Sequence, residues 1–173
     1  MKRRYVLLSV FLATTSASAA VIRPSMRHEA GGQQTRRYVT EGFFVGGERT
    51  VTAAKLTDIR RAKSGDGSER VVFDLSSIAD DKEAMPYFQV QAAPEEGRFI
   101  VSIWANVAYD FEPARVSKMF AKSGHFKRLN VLPRVEEGLT IIELTLADSA
   151  SKKKPKFEVF RLSGPSRIIM DIL

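Results

Sequence analysis

The feature that most constrains this chain is a twofold internal repeat of short apolar strands. The first half reads as four of them, Val51 to Ile59, Arg70 to Leu75, Tyr87 to Gln91 and Arg98 to Trp104. The second half answers in the same order with Phe126 to Val135, Gly138 to Leu146, Lys156 to Leu162 and Ser166 to Ile172. Their branched and aromatic residues suit a pleated, half-buried surface, and turn-rich pieces such as Ser64 to Ser68 and Pro94 to Gly97 separate them. Neither half can hide its own apolar face, so the repeat predicts two similar sheets packed face to face. The expectation is a mostly β protein, a two-layer β-sandwich of two pseudo-symmetric sheets with one short helix, each half forming one layer. The helix is expected between Pro113 and Ser123, where Val116, Met119 and Phe120 fall on one face between an early proline and the following Gly124.

The chain opens with Met1-Lys2-Arg3-Arg4, continues with the apolar run Tyr5 to Ala13 and reaches the small residues Ala17-Ser18-Ala19-Ala20. A basic start, a short apolar middle and a small-residue stop form the layout of a secretory signal peptide, and cleavage is expected after Ala19 or Ala20. The run is too short to span a bilayer, which takes roughly 20 apolar residues. Residues 1–20 are therefore expected as a signal peptide, residues 21–50 as a flexible or weakly docked N-terminal arm, and residues 51–173 as the sandwich domain. The arm follows from composition, since only Tyr38, Phe43, Phe44 and Val45 are bulky there and so little apolar surface does not offset ordering entropy. The three aromatic side chains could nevertheless pack on the domain. Export implies a periplasmic location, with no transmembrane segment in the mature chain.

Cysteine is absent, which removes disulfides, thiol nucleophiles and thiolate metal sites. The formal net charge of +7 falls to +4 once Lys2, Arg3 and Arg4 leave with the signal. That excess favours anionic envelope polymers or membrane surfaces at long range and lacks the concentrated basic face of a nucleic-acid binder. His28 and His125 stand apart, without metal-ligand spacing, and no cofactor or metal is expected. The pairs Glu95-Glu96 and Glu136-Glu137 sit in Gly-containing turns, where carboxylates are solvated. No phosphate-binding glycine loop or serine elbow occurs, so the expectation is a protein that is not an enzyme. A small envelope hydrolase using the scattered carboxylates is the enzymatic alternative.

Ile59-Arg60, Arg70-Val71-Val72-Phe73-Asp74-Leu75, the aromatic strand at Tyr87-Phe88, and Leu162-Ser163-Gly164-Pro165-Ser166-Arg167-Ile168-Ile169-Met170-Asp171 resemble the AMIN domain. That family stands at the front of periplasmic peptidoglycan amidases and of secretin subunits of pilus and secretion machines. The resemblance covers about Val51 to Leu173, with the half-repeats in an atypical order: the proline-arginine strand closes the chain here instead of preceding the other half. It implies a non-catalytic module that binds peptidoglycan or another anionic envelope polymer, or that localises an envelope machine. The alternative it implies is an interaction subunit docking on a secretin or a type IV pilus complex, using a sheet edge for strand addition.

By the same resemblance, the expected ligand-binding residues are Arg70, Asp74, Arg167, Asp171 and Tyr87. Arginine offers a planar fork to the carboxylates of peptide stems, and aspartate accepts from amide or sugar donors. These charges would equally serve by pairing across strands, which stabilises a sheet by about 0.2–1 kcal/mol a pair. Alternation sends one of Tyr87 and Phe88 inward, and Phe88 is the expected inward one. Trp104 is expected to be structural. The run Lys152-Lys153-Lys154-Pro155-Lys156 is expected as a solvated hairpin loop, with attraction for anionic glycan or lipid headgroups as the alternative.

Overall fold

Alternating burial along the chain resolves into eleven strands, as a computed structural model describing residues 27–77 and 84–173 shows. They are β1 (Arg27–Glu29), β2 (Phe43–Gly46), β3 (Ala53–Lys63), β4 (Glu69–Ser77), β5 (Phe88–Ala93), β6 (Arg98–Ile103), β7 (Asn106–Tyr109), β8 (Phe126–Arg134), β9 (Leu139–Leu146), β10 (Phe157–Leu162) and β11 (Arg167–Ile172). Helix α1 (Pro113–Phe120) starts on its proline and buries Val116 and Phe120. A six-residue helical segment, α2 (Asp148–Lys153), leads from β9 to β10. The expected signal peptide, residues 1–20, lies outside the described residues. Among the described residues no helix is long and apolar enough to cross a membrane.

The strands form two packed mixed sheets, one of six strands in the order β1-β2-β5-β6-β9-β8 and one of five in the order β10-β11-β4-β3-β7. The architecture is the two-sheet β-sandwich expected from the repeat. The inner faces are filled by Leu56, Ile59, Phe73, Phe88, Phe99, Ile142, Leu144 and Phe157, all at most 1% exposed. Burial on this scale, at about 25 cal/mol per Å2 of apolar surface, is the main term holding the layers together.

The two sheets do not coincide with the two halves of the sequence, which corrects the expectation of one layer per half. The hairpins are exchanged: β3-β4 from the first half joins β10-β11 from the second, and β5-β6 joins β8-β9. Within this exchange the halves match residue by residue. Arg98 opens β6 opposite Thr145, and Arg167 opens β11 opposite Asp74. Phe88 and Phe157 open β5 and β10 opposite Ile103 and Ile172. The register slip between Leu56 and Asp58 in β3 recurs between Phe126 and Arg128 in β8, immediately after an inward side chain each time. A bulge re-aims a strand and increases its twist, so its repetition gives both sheets the same local bend.

The remaining short strands cover outer edges. β2 pairs with β5, β1 with β2, and β7 with the start of β3. Residues 27–50, expected as a flexible or weakly docked arm, thus supply two strands of the six-stranded sheet. Composition alone understated them, because Phe44, 5% exposed, gains its apolar surroundings from Phe157 of the second sheet and from Val90 opposite it on β5, while Val45, on the other face of the strand, is 1% exposed. The glycines after them are sterically required. A Cβ on Gly46 would come within 2.8 Å of the Phe88 ring, and one on Gly47, whose φ is +77°, within 2.1 Å of the Pro86 carbonyl oxygen.

Candidate functional site

Four of the five expected ligand-binding residues meet on the outer face of the five-stranded sheet. Val71, Phe73 and Leu75 on β4 and Ile168, Met170 and Ile172 on β11 point into the core, so the period of two sends Arg70, Asp74, Arg167 and Asp171 outward. The antiparallel register sets Arg70 opposite Asp171 and Arg167 opposite Asp74. The arginine-to-aspartate segments of the two strands are therefore complementary to each other. Arg70 donates from Nε and Nη2 to the two carboxylate oxygens of Asp171, at 2.6 and 2.7 Å. Arg167 Nε approaches Asp74 Oδ1 at 3.2 Å without hydrogen-bond geometry, because Arg60 already holds that carboxylate with two bonds of 2.6 and 2.7 Å. Asp171 and Asp74 raise the pKa values of Arg70 and Arg60 respectively through these bonds.

The N-terminal segment reinforces this face. Val39 bridges to Phe157 on the edge of β10 through bonds of 2.9 and 2.8 Å, and the Arg161 N–H donates to the Gly31 carbonyl at 2.9 Å. Between these anchors Gln34 donates to Asp171 at 2.8 Å, while the Thr35 N–H, the Thr35 hydroxyl and the Arg36 N–H all donate to Glu158. Glu158, 2% exposed, is thereby a fully bonded buried carboxylate. The aspartates and Glu158 are committed to intramolecular donors, and the exposed parts of this face are the flanks of Arg60, Arg70 and Arg167. Sequence reasoning missed Gln34, Thr35 and Glu158 because their pairing spans more than a hundred residues.

Tyr87, the fifth expected residue, lies elsewhere. Phe88 is fully buried, as expected, and Tyr87, just before the start of β5, is half-buried. Its ring sits 5.2 Å from that of Trp104, at an interplanar angle of 50°, and the Arg49 guanidinium stands 4.5 Å from its centroid. Trp104 is 37% exposed. The chain turn places them: the Trp104 N–H donates to the Tyr87 carbonyl, whose own N–H donates to Glu48. An exposed indole beside a cation can stack against the apolar face of a ring while the cation meets a negative substituent.

A third polar region lies where the β3-β4 turn meets the loop after α1. The Glu69 side chain is fully buried and accepts from Ser123 Oγ at 2.5 Å and from the Gly124 N–H at 2.6 Å, with Arg61 Nη1 at 3.1 Å. Burial alone would raise its pKa, and the bonds from Ser123 and Gly124 with the Arg61 charge reverse this, holding it below the ordinary 4.5. His125 Nδ1 lies 3.7 Å from Glu69, buried and without a hydrogen-bond partner. Beside this cluster opens a cleft of about 530 Å3 lined by the Asp66–Ser68 turn, Gly124, His125, Lys153, Lys154, Lys156 and Leu173. The segment expected as a solvated hairpin loop begins instead inside α2, which ends at Lys153; Lys153, Lys154 and Lys156 are exposed, and Lys154 reaches Glu95 at 3.0 Å. The carboxylate pairs of the two turns are engaged similarly, Glu96 with Arg98 and Glu137 with Arg134. Among the described residues no three His, Asp or Glu side chains are grouped to hold a metal ion.

The fold and these surfaces define an internally duplicated β-sandwich with a self-paired charged face, an aromatic platform and a lysine-lined cleft. No family model matches the chain, and no curated protein matches it significantly.

Proposed function

We propose that this chain is a non-catalytic, AMIN-like binding module of the cell envelope, exported to the periplasm, whose ligand is peptidoglycan or another anionic envelope polymer. The observation that supports this reading best is the exposed Trp104 indole beside Tyr87, with the Arg49 guanidinium over the Tyr87 ring: the indole offers a face to a sugar ring and the cation a partner for an acidic substituent. On the other sheet Arg60, Arg70 and Arg167 keep exposed flanks, while Asp74 and Asp171 hold those arginines in place instead of contacting ligand. Cosedimentation with purified sacculi tests the reading. The expected result is retention at low salt that drops severalfold in Trp104→Ala, and protein remaining wholly in the supernatant overturns it.

A specific observation favours a second reading, an interaction subunit that docks on a secretin or type IV pilus complex. Tyr109, Leu132 and Val135, which are 39%, 42% and 73% exposed, line the seam between β7 and the edge strand β8. Large apolar side chains gathered along a sheet edge suit a protein partner better than a glycan. Crosslinking through this seam, with no retention by sacculi, is the result that selects it.

A further inference from the structure

The pseudo-symmetry of the two halves identifies the lysine-lined cleft as the counterpart of a place that β7 fills in the other half. β7 lies parallel to Ala53–Leu56 at the outer edge of β3. There the Asn106 and Asp110 N–H groups donate to the carbonyls of Thr52 and Leu56, and the strand is flanked by Pro133, Val135 and Leu139 around the β8-β9 turn. In the matched register Leu56 corresponds to Phe126, so the equivalent edge of β8 is Ser123–Phe126. The equivalent flanking turn is that between β3 and β4. These are the walls of the cleft, which runs past Gly124 and His125 and is bounded by Asp66, Gly67 and Ser68. The approach is matched too, for the Leu173 N–H donates to the Lys156 carbonyl at 2.9 Å as that of Trp104 does to Tyr87. No described strand lies along Ser123–Phe126 on this side.

The edge in the cleft is already satisfied by side chains. The Gly124 N–H donates to Glu69, the Phe126 N–H to Ser123 Oγ at 2.8 Å, and the Lys122 carbonyl accepts from Arg61 at 3.3 Å. An occupant therefore gains little by pairing as a strand, and the side chains that face it decide its chemistry. Lys153 and Lys156 make no ion pair among the described residues, whereas Lys154 is engaged by Glu95. His125 also faces in. The single acidic side chain in the lining, Asp66, turns its Oδ1 to the Ser68 N–H and hydroxyl at 3.0 and 2.7 Å.

We propose that this cleft receives an extended acidic segment of a partner protein, laid along Gly124–His125 and held by Lys153 and Lys156. The inference is independent of glycan recognition at Tyr87 and Trp104, which lie in the other half. A labelled hexaglutamate peptide titrated into the full protein tests it. Binding is expected to shift the amide resonances of Gly124, His125 and Lys156, and to weaken about tenfold on raising salt or in the exposed-site variant K153E/K156E. An unchanged amide spectrum elsewhere verifies that this variant is folded. Shifts confined to the Arg60, Arg70 and Arg167 face, or affinity indifferent to K153E/K156E, overturn the proposal. Equal shifts produced by inorganic phosphate, or by anionic phosphatidylglycerol vesicles at matched charge, overturn it as well, since the cleft would then read charge without an extended chain.

Discussion

Arg70 and Asp171 face each other across β4 and β11 and are joined by two hydrogen bonds of 2.6 and 2.7 Å, although 101 residues separate them in the chain. The aspartate side is 8% exposed and the arginine side 43%, so the pair is stronger than a surface ion pair and weaker than a buried one. Asp171→Asn is expected to cost about 1–2 kcal/mol in urea unfolding. A double-mutant cycle with Arg70→Met should return a coupling of about 1 kcal/mol. Zero coupling would reduce the pair to coincident neighbours.

Glu69 ties stability to pH. Its folded pKa lies below the ordinary 4.5, so its contribution is fully present above that value and is lost as pH falls through the folded value. The slope of unfolding free energy against pH should steepen below about pH 4.5, and part of that steepening should vanish in Glu69→Gln. At neutral pH the same variant should be less stable by about 1–3 kcal/mol, because Arg61, 11% exposed, loses its counter-charge. Denaturant titrations at a series of pH values check both statements.

Phe88 and Phe157 occupy matched places in the two sheets, each fully buried at the start of its strand. Truncation of either to alanine is expected to cost about 3–5 kcal/mol, with the two costs similar. A large cost at only one of them would show that the symmetry of register is not a symmetry of packing.

Gly47 permits the close passage of β2's exit beside Pro86. Gly47→Ala imposes both the strained positive φ and a clash with backbone, so it is expected to release β1 and β2 from the sheet edge before the core unfolds. Hydrogen exchange at the Val45 amide should accelerate by at least an order of magnitude while that of Val101, in the sheet interior, changes little.

Much of this fold was legible in the sequence. The eight long strands and α1 announced themselves through branched residues, period-two alternation and proline and glycine punctuation, and the internal repeat led correctly to two packed layers. Which hairpin joins which sheet was not legible, because the choice depends on contacts between halves and not on any local pattern. β1, β2 and β7 were missed for a related reason: each is four residues or shorter and takes its stability from the strand it covers. At the candidate site the charged ends of β4 and β11 were visible, and so was cross-strand pairing as one use for them. Their reciprocal register appeared only with the topology, as did the service of Gln34 and Arg60 to the same carboxylates.

The exchange of hairpins has a consequence for how this molecule holds together. Because every layer is woven from both ends of the chain, severing the link between α1 and β8 would leave two pieces still knitted through the β6-β9 and β11-β4 seams, neither owning a complete layer.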